Sequence, residues 1–112
     1  MAELAIERTI ESAHGEKIHG HSFKINVTFS GKIENNMVAN IDFHDVSKQV
    51  NLVLDKLDKT YIDNVIDMGR ATVENIAIYI IKKLQNISGL DSVTVWEGAN
   101  KYVKVYAREV IK

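Results

Sequence analysis

Three of the chain's four histidines, His14, His19 and His21, fall within eight consecutive residues. Neutral imidazole is the commonest side-chain ligand for zinc, so three of them in so short a span suggest a shared cation. His19 and His21 are two apart in a stretch that alternates as a β-strand does, so both project from one face, about 7 Å apart along the backbone. His14 reaches in from the stretch before. Three protein ligands leave one tetrahedral position open, which marks a catalytic zinc rather than a structural one.

Residues 3–13 read as a strand with Leu4, Ile6 and Ile10 on one parity, which His14 shares. Residues 18–32 read as a second, with Phe23, Ile25, Val27 and Phe29 facing one way, together with His19 and His21, and Lys24, Asn26, Thr28 and Ser30 facing the other. If no bulge at Gly20 breaks the alternation, all three rings stand at the edge of the interior, where a low dielectric strengthens an ion's charge. A turn is expected at Asn35-Asn36. Asp42 then stands as a helix N-cap before Phe43, Val46, Val50, Val53, Leu54 and Leu57, spaced for an amphipathic helix.

A polar loop leads to a second N-cap, Thr72, and a second helix marked by Val73, Ile76, Ala77, Ile80, Leu84 and Ile87, with Gly89 as its stop. Residues 92–97 and 101–111 read as two strands joined through Gly98-Ala99-Asn100. The order is ββααββ, an α+β layer with an antiparallel four-stranded sheet and both helices on one face. Lys24, Asn26, Thr28 and Ser30, with Tyr102, Lys104, Tyr106 and Arg108, are left on the other face, either solvated or lining an assembly. Ile78, Tyr79 and Ile81 lie off the second helix's main stripe, spare apolar surface that hints at oligomerisation. His44 reads as a surface or interface residue.

The 112 residues, 46% hydrophobic and 26% charged, are expected to form one domain with its own core. A net charge of -1 with interspersed signs gives no footprint for nucleic acid or anionic lipid. The longest apolar run, Ile76 to Ile81, falls far short of the ~20 residues that span a bilayer. The opening Met-Ala-Glu-Leu lacks the pattern of a secretory signal, so the cytoplasm is the expected location. The absence of cysteine excludes disulfides, thiolate ligands and a cysteine nucleophile.

The run Glu11-Ser12-Ala13-His14 followed by Ile18-His19-Gly20-His21-Ser22-Phe23 resembles the zinc-binding signature of the 6-pyruvoyl-tetrahydropterin synthases and the related 6-carboxytetrahydropterin synthases. The resemblance continues through Val38-Ala39-Asn40-Ile41-Asp42-Phe43, Leu57-Asp58, Thr72-Val73-Glu74-Asn75 and Val95-Trp96-Glu97, in the family's order over about residues 8–106. It implies the tunnelling fold, in which ββααββ subunits join their sheets into a barrel, as a trimer or hexamer with sites between subunits. It further implies that His14, His19 and His21 hold zinc, that Glu97 grips the pterin and that Thr72 adds a contact compatible with capping. Glu97 shares the parity of Val93 and Val95 and so should point inward, where one carboxylate can accept the neighbouring ring N–H and amino donors of a pterin.

Two positions depart from the family. The cysteine that precedes His-Gly-His in its main classes is missing, and Glu16 stands three residues before His19, an arrangement similar to a variant subfamily associated with 6-hydroxymethyl-dihydropterin. Lys59 follows Asp58 where the family has histidine. The resemblance thus points to a zinc-dependent lyase of 7,8-dihydroneopterin triphosphate giving a 6-pyruvoyl-, 6-carboxy- or 6-hydroxymethyl-type pterin. Glu16 is then the candidate base, and Asp58 and Lys59 are relay members, or Lys59 a triphosphate contact. Loss of both the cysteine and the histidine motivates an alternative, a zinc-containing pterin- or purine-binding protein without lyase activity. A structural assembly module with incidental histidines is a third reading.

Overall fold

Alternation of apolar and polar residues over two long runs builds the backbone of the fold. In a computed structural model that describes residues 1–15 and 17–111, β1 (Ala2–His14) and β2 (His19–Gly31) pair antiparallel along their whole lengths. β2 then pairs with β5 (Leu90–Glu97), and β5 with β6 (Lys101–Tyr106), giving one antiparallel sheet in the order β1-β2-β5-β6. Leu4, Ile6, Ile10, Phe23, Ile25, Val27, Phe29, Val93 and Val95 are buried on one face of it. Ala13 lies opposite Gly20, so no bulge interrupts the parity that puts the histidines on this same face.

Two main helices cover that face. Asp42 caps α1 (Phe43–Asp55) by accepting from the amides of His44 and Asp45, and Thr72 caps α3 (Val73–Leu84) by accepting from the amide of Asn75. Val46, Val50 and Leu54 of α1 and Ile76, Ala77, Ile80, Ile81 and Leu84 of α3 complete the core. The opposite sheet face carries Glu7, Lys24, Asn26, Thr94, Trp96, Tyr102 and Lys104, with the Trp96 and Tyr102 rings 4.5 Å apart.

Several elements differ from the sequence reading. Phe43 is exposed, because it is the first residue of α1 and precedes the turn that meets the sheet. Ile81 is fully buried rather than spare surface, since α3 packs on β5 and β6 and also against α1 and the short α4 (Ala107–Val110). α4 occupies what reads as the end of the last strand. β6 ends where Tyr106 meets Ser92, two residues short of the start of β5, and the chain turns into one helical turn that buries Ala107. α3 ends at Leu84, short of Ile87, and Gly89, at φ +87°, instead makes the turn into β5. A small hairpin of β3 (Ile33–Glu34) and β4 (Met37–Val38) forms around Asn35 and Asn36, whose φ of 52° and 66° are those of a type I′ turn.

The loop after α1 clips onto the outer edge of β1. Lys59, at φ 58°, donates its amide to the Glu11 carbonyl at 2.6 Å, and Ala13 donates to the Thr60 carbonyl at 2.9 Å. Ser12 Oγ donates to the Leu57 carbonyl. Asp58 accepts from the Glu11 amide at 2.9 Å and from Arg8 at 3.3 Å, while Arg8 also reaches Asp55 at 2.6 Å. The loop continues as α2 (Ile62–Ile66), which buries Ile62 and Ile66 under the end of β1.

Two outcomes follow for stability. Ile80→Ala removes a fully buried side chain from α3 and should cost about 2–5 kcal/mol in urea unfolding. The Glu11 amide, with help from Arg8 and Lys59 and against partial desolvation, holds the Asp58 carboxyl below the ordinary aspartate range. A carboxylate so lowered stabilises the fold above about pH 3.9, and its contribution is lost as pH falls through the lowered value. The urea midpoint, followed from pH 6 to pH 2, should therefore fall less steeply in Asp58→Asn than in the wild type.

Candidate metal centre

The β1–β2 ribbon runs past the end of β5, whose last residue, Glu97, lies opposite Phe23. His14, His19 and His21 stand on that projecting end, where His14 is the cross-strand partner of His19. Their ring centroids are 4.5 Å (His14–His19), 5.0 Å (His14–His21) and 4.7 Å (His19–His21) apart. One ring nitrogen from each falls within 4.8 Å of the others. The Phe23 ring floors the cluster, 5.1 Å from His14 and 5.7 Å from His21. His14 is buried, His21 half-buried and His19 exposed, so the cluster opens outward on the His19 side.

Backbone carbonyls fix which nitrogens are free. His14 Nδ1 lies 2.7 Å from the Ala71 carbonyl and His19 Nδ1 lies 2.7 Å from that of Lys17. A carbonyl only accepts, so each Nδ1 carries the hydrogen, and in a neutral ring Nε2 then holds the lone pair. His14 Nε2 is buried and has no hydrogen-bond partner among the described residues, an expense of about 1–3 kcal/mol unless something accepts that lone pair. Metal-binding histidines are typically oriented in this way, by a carbonyl or carboxylate on the opposite nitrogen. The three residues fit a metal ion.

Glu97 faces the cluster, with its two carboxylate oxygens 3.8 Å from His14 Nε2 and 3.8 Å from His21 Nε2, too far for hydrogen bonds. It stands between two clefts. One, of about 300 Å³, is lined by His14, Gly15, His19, Glu97 and residues 70–74, which include Arg70 and Thr72. The other, of about 460 Å³, runs from Val73 and Glu97 to Asn100 and Val103. Gly15, at φ +95°, makes the turn beside the rings, and a Cβ there would come within 3.0 Å of His19 Cε1.

The remaining sequence candidates fall in different places. Thr72 lines the smaller cleft while its hydroxyl oxygen caps α3. Asp58 and Lys59 do not line that cleft, and sit by Arg8 and Glu11 on the outer edge of β1. Glu16 lies outside the described residues. Missing from the sequence reading are Tyr61, Asp63 and Ala71, which hold the His14–Gly15 turn. Tyr61 Oη donates to the Gly15 carbonyl at 2.9 Å, and Asp63 accepts from the Gly15 amide at 2.9 Å and the Ala71 amide at 3.2 Å. The only sequence signal for them is the spacing of Ile62 and Ile66, which suits one helical turn inside an otherwise polar loop.

The chain's relatives share this arrangement of elements. The family profile described as 6-pyruvoyl tetrahydropterin synthase matches residues 4–108. A protein of Archaeoglobus fulgidus provisionally named 6-carboxy-5,6,7,8-tetrahydropterin synthase is 39% identical over 92 residues, covering 80% of this chain and 76% of the relative. The dihydroneopterin monophosphate aldolase of Pyrococcus furiosus is 30% identical over 107 residues, covering 87% of this chain and 90% of the relative. The structure of the 6-pyruvoyl tetrahydropterin synthase of Caenorhabditis elegans superposes with a TM-score of 0.77 at 24% identity, over 95% of this chain and 96% of that one, and shows the same α+β tunnelling fold. A sequence match along nearly the whole chain and a shared fold lead to one conclusion: the chain belongs to the 6-pyruvoyl tetrahydropterin synthase family.

Proposed function

We propose that this chain is a zinc-dependent lyase that takes a 7,8-dihydroneopterin phosphate, the triphosphate first among them, and yields a 6-substituted pterin. The observation that carries the reading is the buried Nε2 of His14, unpartnered among the described residues and set among three imidazoles with the Glu97 carboxylate alongside. His14, His19 and His21 would hold the ion, an all-imidazole set that suits zinc. Bound there, zinc supplies Lewis acidity toward the hydroxyl or carbonyl oxygens of the pterin side chain. Glu97 accepts the ring N–H and amino donors and so sets which end of the substrate meets the histidines. The Thr72 hydroxyl, which accepts from Asn75, keeps its own proton to donate to a ring acceptor.

Proton removal from the side chain needs a base, and Glu16, three residues before His19, is our candidate. Carbon–carbon scission of the aldolase type, giving a 6-hydroxymethyl product, is favoured over phosphate elimination by two observations. The chain has no cysteine but has a glutamate at this place, and the Pyrococcus relative is named an aldolase.

Asp58 and Lys59, on the outer edge of β1, would serve the cleft of a neighbouring copy, as proton relay or as phosphate contact. Charge supports such an assembly. On the open sheet face the β1 edge carries Glu3, Glu7 and Glu11, and β6 carries Lys104, which lies over the Tyr106 ring together with Arg108 of α4. Pairing the β1 edge of one copy with the β6 edge of the next would set acid against base in a head-to-tail contact that closes into a ring, a trimer or a pair of trimers.

Zinc-loaded protein given the triphosphate and the monophosphate in turn should release a 6-substituted pterin detectable by mass spectrometry, and metal-free protein or His14→Ala should not. Glu97→Gln should weaken pterin binding about 10–100-fold, the equivalent of roughly 1.5–3 kcal/mol for a charge-assisted contact. Tight pterin binding without product from either phosphate would instead favour a zinc-containing pterin- or purine-binding protein. Light scattering should give a mass of three or six chains, and Lys104→Glu with Arg108→Glu should shift it toward one.

A further inference from the structure

One carboxylate outside the cleft controls both supports of His14. Asp63, in the first turn of α2, accepts from the Gly15 amide through Oδ1 at 2.9 Å and from the Ala71 amide through Oδ2 at 3.2 Å. Gly15 directly follows His14, and the Ala71 carbonyl is the group that takes the His14 Nδ1 hydrogen at 2.7 Å. Tyr61, two residues before Asp63, ties down the other side of the same turn through the Gly15 carbonyl. Partial burial pushes the Asp63 carboxyl up, but the backbone amides of Gly15, Ala71 and Asp63 itself outweigh it and hold the group below the ordinary aspartate range, so it is ionised at neutral pH.

We propose that Asp63 is the positioning residue of the metal centre: by accepting two backbone amides at once it sets the ring orientation and tautomer in which His14 presents Nε2 to the ion. The two oxygens bridge the β1–β2 turn and the lead-in to α3, the same two segments that the His14 Nδ1 hydrogen bond to the Ala71 carbonyl joins. Only a carboxylate offers an acceptor to both. An asparagine at this place would offer its carbonyl to one amide and turn an NH2 toward the other, donor against donor. Without the Ala71 anchor the His14 ring is free to change tautomer, and its lone pair leaves the point where the three nitrogens converge.

This inference rests on the metal reading above, and the experiment separates the two. Zinc and cobalt affinities are measured by competition with a chelator for wild type, Asp63→Asn and Asp63→Ala, with circular dichroism to confirm folding. In parallel, the His14 Nδ1–H signal is followed by nitrogen-edited NMR in the metal-free proteins. Both variants should bind about 10–100-fold more weakly, the usual effect of losing an outer partner of a ligand. The His14 signal, slow to exchange in the wild type, should broaden or move to the other tautomer. Wild-type binding with unaltered affinity and an unaltered His14 signal in Asp63→Asn overturns the positioning role alone. A wild type that binds neither metal removes the metal centre, and this role with it.

Discussion

The register of β1 against β2 is the constraint on which the site depends. Pairing Leu4 with Phe29 at one end and His14 with His19 at the other keeps the large apolar residues of both strands on the covered face, and the histidines follow because they share that parity. A slip of one residue would turn Phe23, Ile25 and Val27 into solvent and send His19 and His21 to the opposite side of the sheet. Specification of the core and gathering of the three imidazoles are thus one event. The ribbon also has to outrun β5, since a full-length neighbour would cover the ground where Glu97 meets the rings.

The elements legible in the sequence are those with a long period and a chemical punctuation mark. Asp42 and Thr72 announce their helices because an oxygen at the N-cap satisfies amides that the helix leaves over, and both accept those bonds. The illegible elements are short. The single turns α2 and α4 and the two-residue strands around Asn35-Asn36 have too few residues for periodicity to emerge. Ile81 misled for a related reason: a helical wheel shows a wide apolar arc without showing that a second and third neighbour cover it.

The candidate site divides in the same way. His14, His19, His21 and Glu97 are readable because residue type and strand parity together put them in one place, and the geometry brings all four to one end of the ribbon. The groups that orient them are backbone carbonyls and amides, at Lys17, Ala71 and Gly15, and no side-chain pattern encodes a carbonyl's direction. Asp63 looks like any polar loop residue until its two acceptors are seen. Asp58 and Lys59 stand out by motif, yet their local contacts are to Arg8 and Glu11 and not to the imidazoles.

The clip formed by residues 58–60 limits how this sheet can grow. A strand at the margin of a sheet is a template for a foreign strand along its whole exposed ladder. Here the carbonyl of Glu11 and the amide of Ala13 are already occupied from within the chain, so any strand added from outside must end before them. The histidine end of the margin is closed to β-augmentation, and whatever aligns there can reach the imidazoles with side chains alone.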